Sequence, residues 1–413
     1  MVLVLVVASG TASTVRAQAF VDIPEAPQPE EIDPGFSYFA AEQLSYDDNL
    51  IRLPNGYISA TADLGNYSRS DHINEVSAGA TERIVSDLQN FSLDFRINRD
   101  TYAQNTELDN TSGNASLVWN WGIASKWSGQ LSADYSRAII NFATTRTFQR
   151  DLLDTTSFLA SGRYQVGPVW ALTARIQNAD TAHTLDSAAD QDSHVTSGAM
   201  GVQLATAAQN TVELQYRYAR ASFPNEAASP GAVQGDFHDS TELLLLQFQP
   251  SDKTVISANG GYLRQSYADP ALSPYSGEIW HASFKWLPGE KTTIALGASR
   301  DLAAYVSAAS EYFVDEGESA SISWQATAAF TFSLLGTWNH QTYLPGSDQL
   351  GVGTGEDYFQ RRDHIRDQRI AVAYVPRDWL EVDLSFRLEE RDSNDSSYTY
   401  DDRLTMASIK ITL

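Results

Sequence analysis

The sequence predicts an all-β chain that closes into a transmembrane, antiparallel, up-and-down β-barrel of about 18 strands. Three observations predict it. Apolar and polar residues alternate with a period of two through most of the chain, many alternating runs reach about ten residues, and compact turns alternate with long polar connections. The prediction places the protein in the bacterial outer membrane, with membrane lipid as its first partner.

The alternation is clearest in residues 91–98, 212–218 and 380–389. Successive side chains of a strand point to opposite faces, so each segment has one apolar and one hydrophilic face. A soluble sandwich would show the same alternation over shorter runs. The length of these runs favours tilted strands that cross a membrane.

The connections alternate in length along the chain. Compact turn signals occur at residues 85–87, 166–168, 288–290 and 376–378, whereas long polar stretches occupy residues 223–237 and 344–356. Short turns on one side and long loops on the other are typical of outer-membrane barrels. The first strand is predicted over residues 36–52 and the fifth over residues 126–143.

The N-terminus carries targeting signals. Val2–Ala8 is a short apolar run, and Ala17-Gln18-Ala19 is an A-x-A cleavage site, which predicts a signal peptide over residues 1–19. No Lys or Arg precedes the run, which predicts a true start upstream of Met1. Residues 20–35 are rich in Pro and acids and are predicted to form an extended periplasmic segment. The barrel is predicted over residues 36–413.

The charge balance excludes some functions. The 52 acidic and 28 basic residues give a net charge of −24, which argues against a nucleic-acid partner. Two interpretations remain open. The acids can keep long loops soluble, or they can line a lumen or mouth that favours cations.

No motif in the sequence indicates catalysis or a cofactor. The chain has no Cys, and it lacks the P-loop, HExxH and GxSxG patterns. The seven His residues show no metal-ligand spacing, and the acids around residues 392–402 lack the EF-hand pattern. We therefore expect no enzyme activity, no cofactor and no metal.

The hydrophilic face of the predicted strands provides the candidate lumen residues. In a barrel of this size the lumen is wide enough for an aqueous channel unless a loop fills it. Their charges would orient water and screen a solute, or only keep the interior polar and bond across strands. The candidates are Asp94, Arg96, Glu213, Arg217, Glu381, Asp383 and Arg387.

Residues 44–53 read LSYDDNLIRL. This stretch resembles the Tyr-Asp-Asp-Asn-Leu-Phe-Arg motif of the EpsL family, outer-membrane β-barrel proteins associated with exopolysaccharide biosynthesis, with Ile51 in place of the usual Phe. The residues that carry the motif are Tyr46, Asp47, Asp48, Asn49 and Arg52. Their role stays open between bonds to the turn backbone at the barrel rim and contact with a sugar.

The resemblance implies a channel that takes part in exopolysaccharide biosynthesis or export, with exopolysaccharide and periplasmic export components as partners. Two alternatives are a general diffusion porin for small hydrophilic solutes and a non-conducting surface scaffold. A polymer path should be unobstructed, whereas a porin should have acidic and basic side chains that face each other across a constriction.

Overall fold

The computed structural model describes residues 34–55, 67–143, 149–206, 210–226, 235–270, 272, 274–307, 310–345 and 361–413. The predicted signal peptide, with Ala17 and Ala19 at its cleavage site, lies outside the described residues, as does nearly all of the predicted periplasmic segment 20–35.

Eighteen strands make up almost all of the described structure, and the alternating pattern of the sequence gives each strand two chemically different faces. They are β1 Gly35–Asp47, β2 Asp71–Ser86, β3 Gln89–Tyr102, β4 Asn110–Ile123, β5 Trp127–Ile139, β6 Leu152–Gln165, β7 Trp170–His183, β8 Ser193–Ala205, β9 Thr211–Ser222, β10 Phe237–Ser251, β11 Thr254–Tyr267, β12 Tyr275–Gly289, β13 Thr292–Ser307, β14 Ser310–Gln325, β15 Phe330–Pro345, β16 Arg362–Arg377, β17 Leu380–Ser393 and β18 Tyr400–Thr412. Short 3-10 helices lie at Thr106–Leu108, Asp186–Gln191 and Ser396–Tyr398.

The sheet closes on itself. Each strand pairs antiparallel with the next, and β1 also pairs with β18. At the seam, the Leu413 N–H donates to the Tyr38 carbonyl oxygen at 2.8 Å and the Tyr38 N–H donates to the Leu413 carbonyl oxygen at 2.9 Å. The predicted antiparallel barrel of 18 strands is confirmed. Closure removes the unpaired edges that an open sheet would expose.

In the described residues, no helix is long and apolar enough to cross a membrane.

The two faces of the barrel wall differ in chemistry. Leu214 and Leu384 are 65% and 56% exposed, and the sheet face that carries them is covered by similar large apolar side chains. We call this the outer face. The opposite, inner face carries most of the charged residues, among them Glu213 and Arg217 on the same strand as Leu214. Apolar surface outside and polar surface inside is the reverse of a soluble protein and suits a barrel in lipid.

The connections divide between the two ends. Pairs such as β2–β3 and β10–β11 are joined by two-residue turns at residues 87–88 and 252–253. Asp87 adopts a left-handed φ of 47°, a conformation that is common in tight hairpin turns. The strand ends that are joined by longer stretches of chain, such as those of β1 and β2 and those of β15 and β16, lie at the other end. By the rule for outer-membrane barrels, the short turns are periplasmic and the long loops extracellular.

Two strands end earlier than the sequence predicted. β1 ends at Asp47 rather than at residue 52, and β5 ends at Ile139 rather than at residue 143. In both cases the apolar pattern continues, but the chain leaves the wall and buries those residues elsewhere. Ile51 and Phe142 are only 0% and 5% exposed, and both belong to one apolar cluster. We call residues 48–55 the first inward segment and residues 140–143 the second inward segment.

Candidate functional site at the extracellular mouth

The first inward segment packs inside the extracellular end of the barrel. Its apolar side chains are almost fully buried, because they contact residues from β3, the first 3-10 helix and the second inward segment. The hydrophobic effect therefore keeps this loop at the mouth. The cluster consists of Leu50, Ile51, Leu53, Tyr102, Leu108 and Phe142.

Asn49 fixes the backbone of the first inward segment. Its side-chain amide donates to the carbonyl oxygens of Leu53 at 3.0 Å and Asp401 at 2.8 Å, and its Oδ1 accepts from the Leu53 N–H at 2.8 Å. The Asn49 N–H donates to Asp47 Oδ1 at 2.8 Å. Asn49 is fully buried, and these bonds satisfy its polar atoms. It joins the loop to β18.

The neighbouring motif residues lie on the wall side of the loop. Asp48 continues the pairing of β1 with β18, since its N–H donates to the Arg403 carbonyl oxygen at 3.1 Å and its Oδ1 accepts from the Arg403 N–H at 2.8 Å. Tyr46 lies on the outer face, with its ring 4.8 Å from that of His72. Tyr46 therefore faces away from the lumen, and Asp48 forms part of the rim.

Arg52 links the loop to three strands. Its guanidinium lies 3.1 Å from Asp47 on β1, 3.0 Å from Asp402 on β18 and 3.5 Å from Glu389 on β17. Burial alone would lower the pKa of Arg52, but attraction by these three carboxylates outweighs it and raises the pKa above its usual range. The guanidinium therefore remains charged. Its backbone has a φ of 54°, which non-glycine residues rarely adopt.

Three carboxylates beside Arg52 are close enough together to be considered as ligands of a metal ion. Oxygen atoms of Asp47, Asp48 and Asp402 lie within 4.8 Å of one another. Arg52, however, forms ion pairs with both Asp47 and Asp402. The guanidinium already supplies the positive charge that buried carboxylates require. We therefore interpret the group as part of the Arg52 contact.

The second inward segment is held by Arg391 of β17. The Arg391 Nη1 donates to the Ala143 carbonyl oxygen at 2.8 Å. Its Nε donates to Asp363 at 3.0 Å, and its Nη2 donates to the Tyr343 hydroxyl at 3.0 Å. Arg361 also pairs with Asp363, at 2.6 Å. Because Arg391 and Asp363 are buried, a charged cluster and a crossing segment meet inside the barrel.

All seven candidate lumen residues lie on the inner face, and most are bonded to an adjacent strand. The contacts are Asp94 with Arg83 at 2.9 Å, Arg96 with Glu75 at 2.5 Å, Glu213 with Thr173 at 2.5 Å, Arg217 with Asp239 at 3.0 Å, Glu381 with Lys410 at 3.6 Å, Asp383 with Ser408 at 3.3 Å and Arg387 with Asp367 at 2.7 Å. These bonds run along the wall, so they stabilise the pairing of the strands.

The C-terminal part of the barrel has a recognisable family pattern. Residues 246–413, which begin within β10 and continue through β18, match the family model described as "Putative beta-barrel porin 2". This match agrees with the closed wall, the apolar outer face and the charged inner face described above. Residues 246–413 are therefore similar to a β-barrel porin, and the whole described chain has the closed wall of an outer-membrane barrel.

Several solved structures are similar to this outer-membrane barrel. OccK2 (OpdF) of Pseudomonas aeruginosa shares 10% identity, with 92% of this chain and 98% of that chain covered and a TM-score of 0.48. A BenF-like porin of Pseudomonas fluorescens Pf-5 shares 10% identity, with 91% and 98% covered and a TM-score of 0.48. The outer-membrane protein opdK of Pseudomonas aeruginosa shares 11%, with 92% and 98% covered and a TM-score of 0.46. No curated protein matches the sequence.

The sequence reasoning missed several residues of the mouth. Glu389 and Arg391 continue the polar phase of β17 beyond Arg387, so the alternation alone could have extended the list to them. Asp402 belongs to the acidic stretch 392–402, for which the sequence indicates no site, yet it is fully buried on the inner face beside Arg52. Asp402 is an even number of residues from Ser408 and an odd number from Ile409. The alternation of β18 could therefore have assigned it to the same inner face as Ser408.

Arg369 is a further missed residue, and it differs from the other inner-face cations of this region. It lies directly opposite Arg387 in the β16–β17 pair. Arg387 is paired with Asp367 and Glu389. Within the described part of the chain, Arg369 forms no ion pair, and its hydrogen bond to Ser385 Oγ is long, at 3.4 Å. Its Nε is buried without a hydrogen bond.

Proposed function

We propose that this barrel is a diffusion channel for small hydrophilic solutes, with its constriction at the extracellular mouth. The observation that carries the proposal is the pair of inward segments, which are tied to the wall by Arg52 and Arg391. A loop folded into the lumen narrows a barrel of this width from a wide pore to a selective one.

The charges at the mouth fit a porin constriction. Acidic and basic side chains meet inside the mouth as buried pairs, Arg52 with Asp402 and Arg391 with Asp363, and these pairs fix the inward segments in place. A polar loop held inside a barrel restricts passage to small hydrated solutes. This arrangement supports the porin alternative better than the exopolysaccharide path, for which we expected an unobstructed lumen without narrow charged pairs.

Arg369 suggests which solutes interact most strongly with the wall. It faces Arg387, and among the described residues no carboxylate lies within ion-pair distance of it, although Asp367 and Asp383 are near enough to attract it, so its guanidinium is not tied into an ion pair on the inner face of β16 and β17. A guanidinium forms bidentate hydrogen bonds with a carboxylate or phosphate. We therefore propose that small solutes carrying such a group pass this wall, despite the net charge of −24.

The role in exopolysaccharide export remains a separate hypothesis, which rests on the motif at residues 46–52. In the structure Asn49 and Arg52 form bonds within the protein, and Tyr46 lies on the outer face. These contacts favour the structural interpretation of the motif over contact with a sugar.

The test is a solute-flux measurement on the purified barrel in lipid. Liposome swelling would be followed with neutral sugars of increasing size, and single-channel conductance would be recorded in a planar bilayer. The proposal expects conduction with a sharp size limit near that of small oligosaccharides. Passage of long polysaccharide fragments would favour export. A folded barrel that conducts nothing would favour a scaffold and overturn the channel proposal.

A further inference from the structure

Two histidines on the outer face are placed as a chelating pair. His340 of β15 and His364 of β16 are directly opposite each other in the strand register. Their Nδ1 atoms are 3.2 Å apart and their ring centroids 4.4 Å apart. His364 is exposed and His340 half-buried, and the ion pair of Arg300 with Glu316 at the same level of the outer face suits a position at the aqueous end of the wall.

The distance between the two nitrogens fits a metal ion. Two Zn–N bonds of about 2.0–2.1 Å at the tetrahedral angle place their nitrogens about 3.3 Å apart. The observed separation of the two Nδ1 atoms is 3.2 Å. A divalent metal can therefore bind both nitrogens with little movement of the rings.

Thr342 orients one of the two rings. Its Oγ1 lies 3.3 Å from the Nε2 of His340. If that nitrogen carries the proton and donates to the hydroxyl, the Nδ1 of His340 presents its lone pair to the space shared with His364. A bonded second nitrogen of this kind commonly sets the tautomer of a metal-ligating histidine.

Carboxylates flank the pair in the same row of the sheet. Glu316 is directly opposite His340, and Asp392 is directly opposite His364. Both are exposed. Glu316 also pairs with Arg300, so it would have to leave that surface contact to bind a metal. Such an exposed ion pair has a low energetic cost to break.

We propose that His340 and His364 form a surface site for a first-row divalent transition metal such as Zn²⁺, Ni²⁺ or Cu²⁺. The imidazoles provide two ligands, and Glu316, Asp392 or water completes the coordination. Imidazole nitrogens select these metals over Ca²⁺ and Mg²⁺, which prefer oxygen. The site lies near the extracellular end of β15 and β16, outside the lumen, so it is independent of the proposed channel activity.

The test is calorimetric titration of the tag-free, full-length barrel in detergent with Zn²⁺ and, separately, with Ni²⁺. The inference expects one bound ion per chain. His340→Gln and His364→Gln should each weaken binding by about tenfold or more, and Thr342→Val should weaken it by a smaller factor. His238→Gln is the matched control, because His238 is exposed, carries a bond to Ser266 and lies on β10.

Retention of wild-type affinity by both His340→Gln and His364→Gln would overturn the site, as would the absence of binding in a barrel whose folding is shown by circular dichroism. An equal loss in His238→Gln would indicate non-specific surface binding and would also overturn it. X-ray absorption spectroscopy of the metal-bound wild type or, with Cu²⁺, electron paramagnetic resonance should report two nitrogen ligands.

Discussion

Arg391 donates a hydrogen bond of 2.8 Å to the carbonyl oxygen of Ala143, although the two residues are 248 positions apart in the chain. Arg391 belongs to β17, and Ala143 follows β5, so β18 and β1–β4 separate their strands around the wall. The bond therefore requires the second inward segment to cross part of the lumen. The same bond therefore contributes to the stability of the wall and narrows the mouth.

Replacing Arg391 should destabilise the wall and widen the mouth. Arg391→Ala leaves Asp363 buried beside a single remaining cation, Arg361, and frees the Ala143 carbonyl. Loss of one partner of a buried ion pair costs about 3–5 kcal/mol. We expect a lower unfolding midpoint in urea and, in planar bilayers, a higher conductance with a larger size limit.

The control for this prediction is Arg366→Ala. Arg366 lies on neighbouring β16, but its guanidinium is half-exposed on the outer face and 3.7 Å from Glu390. An exposed pair of this kind contributes about 0–1 kcal/mol. If Arg366→Ala changed conductance as much as Arg391→Ala, the effect could not be assigned to the mouth.

Arg52 and Asp402 should be energetically coupled. Arg52→Gln removes the cation shared by Asp47, Asp402 and Glu389, and the remaining carboxylates then repel one another. Asp402→Asn alone removes one of these charges. The double variant should be more stable than the sum of the two single effects predicts, by about 0.5–3 kcal/mol.

A double-mutant cycle of unfolding free energies measures that coupling. Additive single effects would show that Arg52 does not act through Asp402. Because the pKa of Arg52 is raised, the guanidinium itself should not titrate in the accessible pH range. Any pH dependence of the contact must then come from the neighbouring carboxylates.

The two faces of β9 provide a test of the barrel's orientation in lipid. Leu214 is 65% exposed on the outer face, and Gln215 follows it on the inner face. Leu214→Arg should lower the free energy of unfolding in lipid by about 2–4 kcal/mol, because it places a charge in hydrocarbon. Gln215→Arg should cost much less. Equal effects would contradict the assignment of the two faces.

The sequence was sufficient to predict the wall but not the mouth. A period of two assigns each strand residue to a face, and this is why Glu213 and Leu214 could be separated without a structure. Leu50 and Ile51 follow one another in the chain, yet both are buried at the mouth, because the chain has left the strand there. Burial by a folded-back loop depends on distant residues such as Tyr102 and Leu108, which no local pattern identifies.

Arg369 should control the ion selectivity of the channel. Its guanidinium faces that of Arg387 on the inner wall, and Ser385 provides only a 3.4 Å hydrogen bond. Arg369→Gln removes one positive charge from a wall whose chain already carries a net charge of −24. We expect the reversal potential in a salt gradient to shift towards cation selectivity, and we expect small carboxylate solutes to block the current less.

Arg366→Gln, which removes an outward-facing cation from the same strand, should change neither quantity. A selectivity unchanged in Arg369→Gln would show that ions do not pass this part of the wall, and an equal shift in Arg366→Gln would show that the overall charge, not the lumen, sets the selectivity.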